Sequence, residues 1–351
     1  MSWPMISIVW VNYNSMGIMD VVLKSLKSIL ELDYPEYEVI VVDNASSDGS
    51  FERIREFIEK LKVGRSRDVK LLRLPMNRGY AGGLTEGFRI RDRGSKYVIA
   101  MNNDVIVLPD ALKALIELAE TRENVGAVNG VLVSYWKPTN VIDSAGGILN
   151  EILTSGSLFS GWNVEEYKVR KPYPVAFTDG PLALYNVKAV LDANNGLEIL
   201  YDPWTIAYND DVLISLKLWN KGYKCIVYPR IIGWHGRSLT FKKLSLTVSY
   251  LTTRNRVALN EITNSKFKSL IRILMVKRIL RYPRARLAKA YMVGLRLGGK
   301  LKRLGLKIDL YKAPIAPILR REAMEALLGR LSSVNVKATI RFEREILKAY
   351  S

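Results

Sequence analysis

Between Met5 and Thr121 the sequence switches four times from a short apolar, β-branched run to an amphipathic helical period. That alternation restricts the fold more than any other feature of the chain. Met5–Val11 (MISIVWV), Val39–Val42, Val69–Leu74 and Tyr97–Met101 are the runs. They are continuous rather than alternating, as strands buried on both faces require. Helices are expected at about Gly17–Leu32, at Phe51–Leu61 with Phe51, Ile54, Phe57, Ile58 and Leu61 on one face, from the Asn77–Gly83 stretch to about Asp92, and at Asp110–Thr121. Strand–helix units in series imply an α/β domain: a parallel sheet with helices on both faces. Every polar cluster in this stretch falls just after a strand. Ligands in open α/β sheets bind outside the carboxyl ends of the strands, so the clusters are expected to converge on one crevice. The first strand is followed by neither Gly-x-Gly-x-x-Gly nor a phosphate loop, which argues against a dinucleotide cofactor and a nucleoside triphosphatase.

The clusters themselves are chemically loaded. In YVIAMNNDVIVLP (Tyr97–Pro109) a carboxylate sits between two apolar segments, where desolvation costs several kcal/mol unless a cation or donors meet it. A turn in which Asn and Asp bond their own backbone is one reading; a motif holding a divalent metal against a phosphate is the other. In Asp43–Ser50, Asp48 or Ser50 caps the following helix, and Asp43 is left free to accept from a base or a ribose hydroxyl. Asn77–Gly83 is a glycine-rich turn or, with Arg78 beside exposed amides, a phosphate site. Asp210-Asp211 precede a helix that ends at Gly222. They complement its dipole, yet two carboxylates exceed what a cap needs, and one can act as general base beside its neighbour. His235 is the sole histidine. Flanked by Gly233, Trp234 and Gly236 it reads as placed by a tight turn, and neutral imidazole ligates divalent ions well. Between these clusters, Gly126–Val133 and Lys224–Tyr228 read as strands. Ile142–Trp162 reads as an active-site loop or hairpin, and Val175–Leu184 as one strand interrupted at Asp179-Gly180.

Charge divides the chain. Residues 241–351 hold 26 Lys and Arg against 6 Asp and Glu, whereas residues 1–240 hold 27 against 28. A boundary near Ser238 is therefore expected, with a globular domain over 1–240 and a basic, mainly helical region over 241–351, broken at Pro283, at Gly298-Gly299 and around Pro314 and Pro317. No segment approaches the 18 or so uncharged apolar residues of a membrane span, and the N-terminus reads as a strand rather than a signal peptide. A lone cysteine, Cys225, fits a reducing compartment. From Lys266 to Lys302 apolar residues alternate with Lys and Arg at helical spacing. Helices packed on the front domain, nucleic-acid binding and an interfacial helix pair on an anionic membrane all fit. The membrane is the expected partner, and nucleic acid is not, because no recognised binding fold accompanies the charge.

Read in order, VNYN, VVDNASSDGS, NRGYAGG, MNNDV, YNDDVLISLKLWNKGYK and WHGRS resemble the inverting glycosyltransferases of family 2 over roughly residues 5–240. The rhamnosyltransferase-like branch is the most similar, through the VIDSAGG stretch at Val141–Gly147. The resemblance implies a GT-A fold: one Rossmann-like nucleotide-binding domain with a mostly parallel sheet. It implies that Asn12, Tyr13, Asn14, Asp43, Asp48, Arg78, Gly79, Asn102, Asn103 and Gly180 bind substrate. The family's Asp-x-Asp motif falls on Asn102-Asn103-Asp104, which makes Asp104 the expected ligand of Mg2+ or Mn2+, with His235 helping to hold the ion. The Glu-Asp pair falls on Asp210-Asp211, with Asp211 as base. The implied reaction moves a sugar from a nucleoside-diphosphate sugar to a hydroxyl of a lipid-linked glycan or cell-surface polysaccharide precursor. The expected location is cytoplasmic, peripheral on the inner face of the cell membrane. A polyprenyl-phosphate sugar synthase is the alternative. A sugar-nucleotide nucleotidyltransferase fits less well, since VNYNSMG lacks the basic residues of a triphosphate loop. An inactive binding protein is disfavoured by the retained Asp104, Asp211 and His235.

Overall fold

The computed structural model describes residues 3–62, 68–136, 138–236, 245–281 and 285–351. The first half runs β1 (Ile6–Asn12), α1 (Met19–Leu30), β2 (Tyr37–Asp43), α2 (Ser50–Lys62), β3 (Asp68–Arg73), α3 (Gly79–Arg89), β4 (Tyr97–Asn102), β5 (Val105–Val107) and α4 (Ala111–Thr121). Then come β6 (Val125–Ser134), β7 (Ile142–Ser144), β8 (Gly147–Leu149), β9 (Ser155–Ser157), β10 (Tyr173–Pro174), β11 (Leu182–Asn186), α5 (Val187–Ala193), α6 (Asp210–Asn220) and β12 (Lys224–His235). The basic region adds α7 (Ser245–Ile262), α8 (Lys268–Arg281), α9 (Ala285–Arg303), α10 (Arg320–Leu327) and α11 (Leu331–Tyr350).

The main sheet has the order β10-β12-β6-β11-β4-β1-β2-β3. Strands β3, β2, β1 and β4 pair in parallel, and β11 is inserted antiparallel between β4 and β6. Alternate residues of β1 feed opposite layers. Ile6, Ile8 and Trp10 meet α1, α2 and α4 through Leu26, Ile54 and Leu115, whereas Val9 and Val11 meet α3 through Leu84 and Phe88. The glycines of α3 decide how close that second layer lies. A Cβ at Gly87 would stand 2.3 Å from Val9 Cγ1, so only a bare backbone lets α3 sit directly on β1.

Five expectations are corrected. The Asn77–Gly83 stretch is not one glycine-rich turn: only Gly79 has the left-handed backbone (φ +74°), and Gly82 and Gly83 already belong to α3. Val175–Leu184 is not one strand: β10 ends before it at Pro174, at the sheet's far edge, and only Leu182–Leu184 belong to a strand, the central β11. The strand at Lys224 does not stop at Tyr228 but runs 12 residues to His235. Pro229, which breaks the pattern in sequence, falls within a register shift between Val227 and Ile231, where a strand tolerates proline. His235 therefore ends a strand instead of occupying a tight turn, and Arg237 and Ser238 lie outside the described residues. Finally, Gly298-Gly299 do not break a helix. Gly294 and Gly298 line the face of α9 against α7, where added Cβ atoms would meet the carbonyl oxygens of Arg254 at 2.6 Å and Ala258 at 2.8 Å. Pro283 also lies outside the described residues.

The basic region shares a core with the front of the chain: Leu149, Ile152, Val212, Leu213 and Leu216 pack with Val257, Ile262, Ile271, Leu274 and Val334. Among the described residues no helix is long and apolar enough to cross a membrane.

Candidate active site

The carboxyl ends of β1, β2 and β4 meet around Asn12. The nitrogen of this fully buried amide lies 3.0 Å from Asp43 Oδ1 and 3.2 Å from the hydroxyls of Ser46 and Ser50, which share its two N–H groups. Its oxygen accepts from Ser15 Oγ at 2.5 Å and from Asn103 Nδ2 at 3.0 Å. One side chain thus ties three strand ends together. Asn14 accepts from the Ser47 amide at 2.8 Å, and Asp48 from the amides of Met16 at 2.8 Å and Ser50 at 3.0 Å. Asp48 caps the turn into α2, as one sequence reading had it, and also ties that turn back to the segment after β1. Tyr13 is half-buried beside them. Asp43 accepts from the Ser46 amide at 3.0 Å, so part of its capacity is already used by its own turn.

Asn44, which the sequence did not single out, holds the next turn. Its amide donates to Gly79 O at 2.9 Å and its oxygen accepts from the Arg78 amide at 2.8 Å. The Arg78 guanidinium is half-exposed and pairs with Glu86 at 3.2 Å.

At the end of β4, Asn102 and Asn103 are half-buried and Asp104 is buried. Asp104 Oδ1 stands 3.3 Å from His235 Nε2, and on the other side of the ring Asp143 Oδ2 is 2.8 Å from Nδ1. Burial pulls the imidazole pKa down, but the two carboxylates outweigh it and raise it to about 9. A carboxylate behind Nδ1 is the arrangement that turns the Nε2 lone pair of a histidine toward a metal. The donor set fits a divalent ion with two protein ligands, Asp104 and His235. Among the described residues no group of three or more His, Cys, Asp and Glu is placed to hold an ion on its own. Asp143, in the VIDSAGG stretch, was also not singled out by the sequence. The exposed Trp136 donates its indole N–H to Gly236 O, and the Tyr135 amide donates to His235 O at 3.0 Å, so the segment after β6 pins the end of β12.

The pair at the start of α6 lies close by. The Asn102 amide donates to Pro181 O at 2.9 Å, and the adjacent Gly180 amide donates to Asp211 Oδ2 at 3.2 Å. Gly180 is thus a backbone link between the β4 end and Asp211. Burial pushes Asp210 up to about 6, and one of its oxygens has no hydrogen-bond partner. Asp211 is pushed well up by burial and by the charges of Asp210 and Asp179. Asp179 in turn accepts from Ser144 Oγ at 2.5 Å and Ser157 Oγ at 2.6 Å. The Tyr80 hydroxyl donates to Gly180 O at 3.2 Å and its ring packs edge-on against Tyr201. A carboxylate held up by burial and a like charge is fit to take a proton near neutral pH.

The sequence matches the family described as Glycosyl transferase family 2 over residues 7–192, more than half of the chain. A poly-β-1,6-N-acetyl-D-glucosamine synthase of Staphylococcus epidermidis is 35% identical over 111 residues, 32% of this chain and 25% of that protein. The Staphylococcus aureus (strain MW2) synthase is 27% identical over 217 residues, 61% of this chain and 46% of that one. The chain thus spans between a quarter and a half of the curated relatives it matches. Among solved structures, GalNAc-T7 with UDP, GalNAc and Mn2+ superposes with a TM-score of 0.59 at 16% identity, covering 95% of this chain and 58% of that one. The mannosyltransferase PcManGT from Pyrobaculum calidifontis, with GDP-Man and Mn2+, superposes with a TM-score of 0.51 at 18% identity, covering 99% and 87%. Those likenesses carry the GT-A fold. With the family match over residues 7–192, they establish that the chain belongs to glycosyltransferase family 2.

Proposed function

We propose that this glycosyltransferase moves a sugar from a nucleoside-diphosphate sugar to a hydroxyl acceptor by a single displacement with inversion. Asp211 is the base, and a divalent ion is held by Asp104 and His235. The observation that carries the reading is the short link Asn102–Pro181–Gly180–Asp211. It ties a carboxylate of raised pKa to the end of β4, two residues before Asp104, which supports one reacting centre shared with the Asp104–His235 pair. Asn12, Tyr13, Asn14, Asp43, Asp48, Arg78, Gly79, Asn102 and Asn103 are assigned to the donor. Asp104 and His235 would hold the Mg2+ or Mn2+, which would supply positive charge against the leaving diphosphate. Asp143 keeps the Nδ1 proton on His235, and Nε2 would give up its own proton to ligate the ion. Asp211 accepts the acceptor's hydroxyl proton, and Asp210 raises the affinity of Asp211 for it.

Two solved relatives of the same fold were captured with Mn2+ and nucleotide or nucleotide sugar, and the curated relatives are named as polysaccharide synthases. A glycan or lipid-linked glycan acceptor follows from the latter as part of the proposal. The test measures nucleoside diphosphate released from a panel of sugar nucleotides, with Mn2+ and with chelator, for the wild type and Asp104→Ala. Metal-dependent release that Asp104→Ala abolishes is expected; equal release in chelator overturns the metal assignment.

The proposal extends to attachment at an anionic membrane surface, on one specific observation. Ile273, Val276 and Leu280 form an exposed stripe on α8, and Met324 on α10 and Leu328 just after it are exposed. Lys277 Nζ donates to Leu327 O at 2.6 Å, which brings the two helices together there. Arg272, Lys277, Arg281, Arg320 and Arg321 are exposed among them. An apolar stripe edged by cations matches acyl chains beneath anionic head groups. By contrast, α9 spends Leu287, Ala290, Gly294 and Gly298 on internal packing, so the α8–α10 face rather than an α8–α9 pair carries this extension.

A further inference from the structure

The segment Trp204–Asn209 delivers Asp210-Asp211 into the site in a conformation that it does not hold by itself. Ile206, Tyr208 and Asn209 all have left-handed backbones, with φ of 66°, 67° and 60°. A β-branched residue there is a true outlier, kept only when its surroundings over-determine it. The surroundings come from α7, more than 40 residues downstream. Asn255 is completely buried, and its amide nitrogen lies 2.9 Å from Thr205 O, 3.0 Å from Ala207 O and 2.7 Å from Tyr208 O. Arg254 Nη2 donates to Trp204 O and Thr205 O, both at 2.7 Å, while its Nε donates to Asn255 Oδ1 at 2.9 Å. Two adjacent side chains therefore take up four carbonyls of a loop that has no ladder of its own. The same loop reaches the donor side: Ile206 O accepts from the Ala81 amide at 3.0 Å, and a Cβ on Gly79 would collide with Ile206.

We infer that Arg254 and Asn255 are positioning residues for the transfer step: they clamp Trp204–Tyr208 so that Asp211 meets the acceptor hydroxyl beside the donor. The basic C-terminal region thereby contributes to turnover and not only to location. This rests on the assignment of Asp211 as base. Two features separate the clamp from ordinary core packing. Asn255 makes its bonds to backbone carbonyls of one loop, and the Arg78–Gly79 turn is held separately by Asn44. Loosening the clamp should therefore move the base more than the donor.

The experiment compares Asn255→Ala with Asn260→Ala in the full chain. Asn260 is an equally buried amide of α7 that donates to Lys268 O at 3.2 Å, away from the loop. A displacement of the order of 1 Å at a catalytic group costs about 10²-fold in rate. Asn255→Ala should lower kcat by about that factor with the donor Kd, read by titration of the nucleoside diphosphate, within about threefold of wild type. Asn260→Ala should lose comparable thermal stability but keep its kcat. Arg254→Lys, which keeps the charge and loses the bidentate fork, serves as the second reading should Asn255→Ala fail to fold, and should show the same split. The inference is overturned if the folded clamp variants keep kcat, or if Asn260→Ala loses as much. Asp211→Asn is run alongside: full activity there defeats the base assignment itself, whereas loss there with an intact Asn255→Ala rate defeats only the clamp.

Discussion

Asp211 faces the charge of Asp210 inside the protein, and this sets how the proposed transfer should respond to pH. A carboxyl raised by burial and a like-charged neighbour ionises late, so kcat should fall as the pH drops through a limb well above the ordinary carboxylate range. Asp211→Asn should lower turnover by about 10²–10⁴, the usual contribution of a general base, while leaving donor affinity intact. Asp210→Asn should do less, and it should move the acid limb downward, because the charge that raises Asp211 is gone. A pH–rate profile of both variants checks this, and an unmoved limb in Asp210→Asn refutes the coupling. Stability gives an independent reading with a definite sign. Since Asp210 is raised to about 6 in the fold, ionising it opposes folding. Wild type should lose stability between about pH 4 and pH 6 relative to Asp210→Asn, with the gap absent in more acid solution. A second prediction concerns Asp143, which orients His235 from behind. Asp143→Asn should weaken Mn2+ binding about 10–100-fold, while nucleotide binding in chelator stays unchanged; titration calorimetry separates the two. Asp143 and Asn44 were not found in the sequence because their partners are remote. His235 is 92 positions from Asp143, and Gly79 is 35 positions from Asn44. Asp104, Asp211 and His235 were legible because each stands where an apolar run or a helix begins or ends.

At the scale of elements, legibility followed the range of the pairing. The β1–β4 units announce themselves because each strand and its helix are neighbours in sequence and each carries its own period. Strands β10 and β11 do not, because only the sheet shows that one is an edge and the other a central insertion. Strand β12 hides its true length behind Pro229, whose cost is absorbed by a bulge that no local pattern reveals. The glycines of α3 were misread for a related reason: a glycine in a turn and a glycine under a close-packed helix look alike in one dimension. The packing view is testable. In Gly87→Ala the new methyl must find room against Val9 Cγ1 at 2.3 Å and Val42 Cγ2 at 3.0 Å, neither on a flexible side chain. Overpacking of this kind costs about 1–3 kcal/mol. Because α3 begins at the Arg78–Gly79 turn assigned to the donor, nucleotide affinity should fall with stability. Gly83→Ala, whose Cβ meets Val11 Cγ1 at 3.1 Å, is less crowded and should cost less. Denaturant melts of the two variants decide the order, and equal melts would contradict it.

For the whole molecule the division is one of charge and not of packing. The region beyond residue 240 carries a net charge of +20 against −1 for the rest, yet α7, α8 and α11 share one apolar core with α6 and the β8 loop. A molecule whose positive charge is concentrated in one region of the chain has a preferred face toward any anionic surface. The stripe on α8, continued on α10 and just after it, supplies apolar groups in that basic region, among them Leu280 at 73% and Leu328 at 76% exposure. Insertion of a few such side chains gives weak attachment on its own, and each Lys or Arg close to an anionic bilayer adds about 1 kcal/mol. The two together suffice for reversible binding, and the charge part must be screened by salt, whose Debye length shrinks to about 3 Å at 1 M. The full chain should therefore sediment with vesicles containing anionic lipid, stay in solution with purely zwitterionic ones, and be released by high salt. Replacing both Val276 and Leu280 by Ser should lower the bound fraction at equal charge, without changing nucleotide binding, because neither side chain touches the site. Retention of the Val276→Ser/Leu280→Ser chain on anionic vesicles would leave only a nonspecific cationic attraction. Failure of the full chain to sediment at all, or tighter binding to RNA than to lipid, would remove the membrane from the proposal while leaving the transfer chemistry at Asp211 untouched.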